Sequence, residues 1–167
     1  MIDFALSKDR KIGMIQSNES NQIYSVGCVG KINSFNETSD GRYLISLQGT
    51  SCFKILNELK QEFAFRQVNV NILEEYPSEI KFTDNQKRDL LDKYKLYAHK
   101  KKIDINIEEI KQIDLIQIVK FIAMVSPFKD IDKQVLLETR NEIDFYQKLL
   151  SILDIDMASD FSNKTIN

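Results

Sequence analysis

With 167 residues, 43% of them hydrophobic and 29% charged, the chain has the length of about one globular domain and enough apolar side chain to bury a core. A formal net charge of -2 and a sequence pI of about 5.5 argue against a nucleic-acid or anionic-membrane surface, since phosphate binding draws its affinity from Lys and Arg. Cys28 and Cys52 are too few for a disulfide framework and have no His or Cys neighbours at metal spacing, so they read as reduced thiols acting as small hydrophobes.

The opening MIDFALSKDR has no basic start, apolar run or small-residue cleavage site. No later segment approaches the ~18 apolar residues of a membrane span, so a cytoplasmic protein is expected. Ile2, Phe4, Ala5 and Leu6 suggest the end of a short helix packed on a β barrel, and Ile12 to Gln16 enters a first strand. Ser17 to Gln22 is a polar loop. In the run YSVGCVGKI, Tyr24, Val26, Cys28 and Ile32 share one parity; after Asp40-Gly41, Tyr43, Ile45, Leu47, Phe53 and Ile55 share another. A period of two with β-branched and aromatic residues marks strands half-buried on one face, and Asp-Gly between them marks a hairpin. On this parity Cys28 points inward and is expected to be buried and unreactive. Gly27 and Gly30 read as bulges or close backbone contacts. Alternation returns through Phe63, Phe65, Val68, Val70 and Ile72, with a slip between Phe65 and Val68 that suggests a bulge or the join between two short strands. Ile12, Tyr24, Tyr43, Cys52 and Val68 anchor about five strands, enough for a partly closed barrel.

Tyr76-Pro77-Ser78 separates this β lobe, residues 1–77, from a helical lobe, residues 78–160, followed by a polar tail, residues 161–167. Thr83 with Gln86 forms a capping-box signature ahead of a helix striped by Leu90, Leu91, Tyr94, Tyr97 and Ala98. Lys100 to Lys102 closes it, where positive charge complements the helix dipole. His99, beside the stripe and without ligand-spaced neighbours, reads as a surface residue. Asn106 and Asp114 each cap a further helix, the second running through Leu115, Ile118, Val119, Ile122 and Ala123 to Ser126-Pro127. Asp130 begins another, with Val135, Leu136 and Leu137 facing in, and Asn141 begins the last, carrying Ile143, Tyr146, Leu149, Leu150, Leu153 and Met157. The fold class is α+β, an N-terminal antiparallel β lobe followed by a helical bundle.

The runs IGMIQ, YSVGCVGKI and SDGRYLISLQG with the following FKI resemble the N-terminal substrate-binding domain of the ATP-dependent protease Lon, and more closely the short stand-alone Lon-domain proteins of bacteria. Ala123-Met124-Val125-Ser126-Pro127-Phe128 and then Asp132-Lys133-Gln134-Val135-Leu136-Leu137-Glu138 resemble that group's pattern of Pro-Phe followed by Lys-Gln-x-Leu-Leu-Glu. Cys52 departs from the group, which places Arg before the Phe, so no role of that Arg carries over. The resemblance implies a PUA-like pseudo-barrel for the β lobe and an unfolded polypeptide or protein as partner. Family members also begin with an apolar, Pro-rich strand ahead of the point where MIDFALSKDRKIGMIQ starts. Loss of that strand is expected to leave an exposed β edge that invites self-association.

No P-loop, dinucleotide fingerprint or Ser-Lys dyad is present, and the pairs Glu74-Glu75 and Glu108-Glu109 diverge rather than converge. The sequence therefore points to no catalytic, cofactor-binding or metal residue, and to a chain without the ATPase and peptidase parts of Lon. The candidate peptide-binding residues are Arg42, Lys54 and Arg66, cations inside the β lobe that either pair with Glu37 or Glu58 or rim a groove where an extended peptide adds to the sheet. The expected function is a non-catalytic Lon-type domain binding protein or peptide partners, linked to ATP-dependent proteolysis. An RNA-binding PUA-like module is the alternative, against which the acidic pI and the lack of a basic aromatic surface count.

Overall fold

Strands β1 (Lys11–Met14), β2 (Val26–Glu37), β3 (Tyr43–Glu58) and β4 (Val68–Leu73) form one antiparallel sheet in the order β1-β2-β3-β4, preceded by the short helix α1 (Ile2–Leu6). The computed structural model describes residues 1–60, 62–74 and 82–162. The chain divides into two units, Met1–Glu74 and Glu75–Asn167. Tyr76-Pro77-Ser78 and residues 163–167 lie outside the described residues.

The β2–β3 hairpin turns at Asp40-Gly41, and Gly41 takes φ +78°, which L side chains rarely adopt. The Tyr43 and Cys52 anchors belong to one sixteen-residue strand, so the described sheet has four strands where the alternation suggested about five. Their shared parity does not mean a shared face. The register steps from Val29↔Ser51 to Gly30↔Gly49, leaving Thr50 as an extra residue on β3, its hydroxyl donating to the Val29 carbonyl at 3.1 Å. An inserted residue shifts side-chain alternation by one place. Leu47 therefore stands with Ile32 on one face, while Phe53 stands with Gly27 on the other. Ala5, Ile12 and Ile32 are buried on the first face, with Ile2, Leu6, Ile45 and Leu47 packed against them, as expected for α1. On the second face the Phe53 ring, 2% exposed, covers the two glycines Gly13 and Gly27. A Cβ on Gly27 would lie 2.6 Å from the Met14 carbonyl oxygen and 2.7 Å from Phe53 Cζ, so this glycine marks a close approach within the sheet.

The helical unit follows its local signals closely. Helix α2 (Asp84–Lys101) starts at the Thr83 capping box, with the Thr83 amide donating to Gln86 Oε1 at 2.8 Å and the Gln86 amide donating to Thr83 Oγ1 at 3.3 Å. It ends at Lys102, in the left-handed region at φ 56°. The basic run at this end does more than complement a dipole: Lys101 pairs with Asp156 at 3.0 Å and Lys100 donates to the Met157 carbonyl. Asn106 caps α3 (Ile107–Ile110), Asp114 precedes α4 (Leu115–Val125), and Asn141 Oδ1 accepts from the Ile143 and Asp144 amides at the start of α6 (Glu142–Ser162). In α5 (Asp130–Glu138) Gln134 and Leu136 are buried while Val135 is 39% exposed, because neighbours on a helix diverge by about 100° and cannot all face in. Helix α6 continues to Ser162, past Phe161, where the sequence suggested a tail. One core joins α2 to α6, with Tyr94, Tyr97, Ile118, Ile122, Leu149 and Leu153 fully out of solvent.

Candidate functional site

Strand β4 lies at one edge of the described sheet, and backbone geometry shows what that edge offers. The Ile55 amide donates to the Ser25 carbonyl at 2.7 Å, so Ile55 turns its peptide groups toward β2 and away from β4. Its β4 partner is Val70. The Ile55–Val70 pair is therefore not hydrogen-bonded, and the Val70 amide and carbonyl point to the open edge, as do those of Ile72 two residues on. The same residues carry exposed apolar side chains, Val70 at 36% and Ile72 at 51%. Val68, Val70 and Ile72 share a face because strand side chains repeat every two residues.

The connection from β3 to β4 adds aromatic surface. Phe63 and Phe65 stack with centroids 5.3 Å apart, and Phe4 of α1 packs on both, at 5.1 and 5.5 Å. Phe63 and Phe4 remain 39% and 36% exposed. The alternation through Phe63 and Phe65 comes from this turn, which precedes β4, and not from a strand. At the base of the connection the Leu59 amide donates to the Gln67 carbonyl at 2.9 Å, and the Arg66 guanidinium forms a two-point pair with the Glu58 carboxylate, its Nε at 3.0 Å. Leu56, the extra residue where Ile55↔Val70 steps to Asn57↔Asn69, is pushed outward and is 66% exposed.

Of the three cations singled out in the sequence, Lys54 lies within β3, Arg42 just before it and Arg66 in the connection to β4. Arg42 sits in the hairpin turn, where it pairs with Asp40 at 2.5 Å and donates from Nε at 2.8 Å. That guanidinium, with the Thr38 hydroxyl, holds the Asp40 carboxyl down at about 2. Its partner is thus Asp40, not Glu37, whereas Arg66 does pair with Glu58. Lys54 is exposed on β3, opposite Val26 on one side and Asn71 on the other. Only Arg66 adjoins the aromatic connection directly. Phe4, Phe63, Val70 and Ile72 were legible in the sequence as strand or helix core. Their exposure depends on which strand ends the sheet, which no local pattern reveals.

Elsewhere in this unit the Tyr43 hydroxyl donates to Asp3 Oδ1 at 2.6 Å, tying α1 to the start of β3, and this bond to a carboxylate pushes the phenol up to about 12. Cys28, expected to be buried, is half-exposed and stands directly across from Cys52. Its strand's inward face is shared with Gly30 and Gly49, which cover little of their neighbours. Among the described residues no group of three or more His, Cys, Asp or Glu could hold a metal, and no helix is long and apolar enough to cross a membrane. His99 is exposed, as its sequence surroundings suggested.

An antiparallel sheet followed by a helical bundle defines an α+β domain. The family model described as the ATP-dependent protease La (LON) substrate-binding domain matches residues 1–154, and the chain belongs to that family. Among solved structures it is similar to the N-terminal domain of the Mycobacterium avium complex Lon protease, with TM-score 0.65 and 16% identity over 92% of this chain and 82% of that one. It is also similar to a Lon N-terminal domain protein from Xanthomonas campestris, with TM-score 0.56 and 13% identity over 86% of this chain and 89% of that one. No curated protein matches the chain.

Proposed function

We propose that the chain is a non-catalytic Lon-type substrate-binding domain that takes an extended, apolar-bearing segment of an unfolded polypeptide along the outer edge of β4. The observation that carries this reading is the coincidence at Val70 and Ile72 of outward-pointing backbone groups with exposed apolar side chains. A bound segment would pair its main chain with that edge for affinity and set alternate side chains beside Ile72 and the Phe4–Phe63–Phe65 cluster for selectivity. Membership of the substrate-binding family supports a polypeptide as ligand, and a cytoplasmic setting with a link to ATP-dependent proteolysis follows the same reading. Lys54, exposed on β3, can meet an acidic residue of the bound segment; Arg66, which flanks the aromatic cluster, and Arg42 are committed to Glu58 and Asp40 and play smaller parts.

The test is fluorescence anisotropy with a labelled, permanently unfolded polypeptide such as reduced, carboxymethylated lactalbumin, alongside a single-stranded RNA of similar charge. Saturable polypeptide binding that Ile72→Lys and Phe63→Ser weaken is expected. RNA binding that survives those substitutions, or polypeptide binding indifferent to both, would replace this reading. Sedimentation at several protein concentrations separates peptide capture from pairing of two copies through the same edge.

A further inference from the structure

We propose that Cys28 and Cys52 form a dithiol site, which a low-molecular-weight disulfide oxidises to a cross-strand disulfide joining β2 to β3. The two residues are partners in the antiparallel register. Two separate backbone bonds establish what kind of pair they make. Hydrogen-bonded and non-hydrogen-bonded pairs alternate along an antiparallel ladder. The Ile55 amide donates to the Ser25 carbonyl at 2.7 Å, which makes Ser25–Ile55 a hydrogen-bonded pair and, three places along, Cys28–Cys52 a non-hydrogen-bonded one. On the other side of β2 the Ile32 amide donates to the Arg10 carbonyl at 2.8 Å, and counting from there puts Cys28 in a hydrogen-bonded pair with Met14. The peptide groups of Cys28 therefore face β1, and both counts agree.

Non-hydrogen-bonded partners have Cα atoms about 4.5 Å apart with side chains on the same face. That separation lies within the ~4.4–6.8 Å span that disulfides bridge. Cys28 Sγ lies toward Gly49, 3.6 Å from where a Cβ there would stand, and its thiol donates to the Val29 carbonyl at 3.7 Å, a weak contact that the disulfide would replace. Neither cysteine is fully buried. In the reaction one thiolate attacks the oxidant's S–S bond, giving a mixed disulfide and one released thiol. The second thiolate then attacks the protein sulfur of that mixed disulfide and expels the second thiol, so two electrons pass from the protein to the oxidant and two protons leave the cysteines. Cys52 also pairs with Leu73 of β4, so the bond fixes β3 beside its Thr50 bulge.

The whole chain, incubated with oxidised glutathione, quenched in acid, denatured and alkylated, is read by intact mass and by non-reducing peptide mapping. The expected product is a monomer that has lost two hydrogens, takes no alkyl group and yields a peptide pair joined through Cys28 and Cys52. Cys28→Ser and Cys52→Ser each gain one glutathione instead, while the wild-type mass decides the matter even if a variant fails to fold. Stable glutathione adducts on the wild-type chain, a disulfide-linked dimer, or two alkylated cysteines after oxidation would each overturn the proposal.

Discussion

In the helical unit Tyr94, Tyr97, Ile118, Ile122, Leu149 and Leu153 are wholly out of solvent, whereas among the described hydrophobic residues of the sheet unit only Ile32 and Phe53 fall to 2% exposure or below. Exposed apolar side chains occur in both, Leu44, Leu56 and Ile72 at 71%, 66% and 51% in the sheet unit and Leu96, Met124 and Ile155 at 69%, 70% and 69% in the helical unit, so the units differ in what they bury. Apolar burial is the main favourable contribution to folding, so the helical unit holds itself together by packing and the sheet unit depends more on its backbone ladder. Side chains that remain in water contribute little to stability and stay available to a partner. The difference teaches that the two units are stabilised differently, the bundle by side-chain packing and the sheet more by its backbone ladder.

The sharpest test of that contrast is a cavity in the bundle. Leu149→Ala is expected to lower the stability of the helical unit by about 2–5 kcal/mol, because a fully buried leucine leaves a void that its neighbours only partly fill. Urea denaturation followed by far-UV circular dichroism measures it, and a loss no larger than that of a surface substitution would break the comparison. The sheet unit's counterpart is Gly27→Ala. Here the new methyl meets the Met14 carbonyl oxygen and the Phe53 ring, and the expected cost is roughly 1–3 kcal/mol. Hydrogen exchange should show β1 amides opening first, since the backbone that must move belongs to β1.

Thr83→Ala removes the hydroxyl that accepts from the Gln86 amide, at a cost of about 1 kcal/mol, and fraying confined to the first turn of α2 is the expected exchange pattern. Ile72→Lys, at a half-exposed position, should change stability by less than about 0.5 kcal/mol, and Phe63→Ser, which loses its two ring contacts, by about 1 kcal/mol. They are expected to weaken polypeptide binding about tenfold, equivalent to ~1.4 kcal/mol for one lost anchor. A large stability loss without a binding loss would make these residues structural and cancel the contrast.

The smallest effect is a pH dependence in the sheet unit. Because the folded Tyr43 phenol is raised from 10.0 to about 12, its bond to Asp3 contributes fully below pH 10.0 and is lost as pH rises through about 12. Asp40 works in the opposite sense: lowered from 3.8 to about 2, it contributes above pH 3.8 and loses its contribution as pH falls through about 2. Ultraviolet titration of the phenolate should show one tyrosine moved back toward 10.0 in Asp3→Asn, whereas an unchanged curve would remove the tie between α1 and β3.

How much was legible beforehand depends on the range of each interaction. The Thr83–Gln86 box, the Asn106 and Asn141 caps, the Ser126-Pro127 stop and the Asp40-Gly41 turn join residues within a few positions of one another, so the sequence alone determined those boundaries. The helical stripe of Leu90, Tyr94 and Tyr97 was equally plain, because a period of 3.6 admits one apolar face. Parity in the sheet was legible only up to the first bulge. Thr50 carries no mark that sets it apart, and its position as the extra residue depends on the register β3 adopts against β2, which moves Phe53 to the face opposite Leu47. The pairing of Cys28 with Cys52 and the open side of β4 were settled in the same way, by strands meeting across many residues. Local composition dictates where a segment turns or stops, but which side chains face each other, and which strand is left at the edge, is decided by packing over distances that no short window contains.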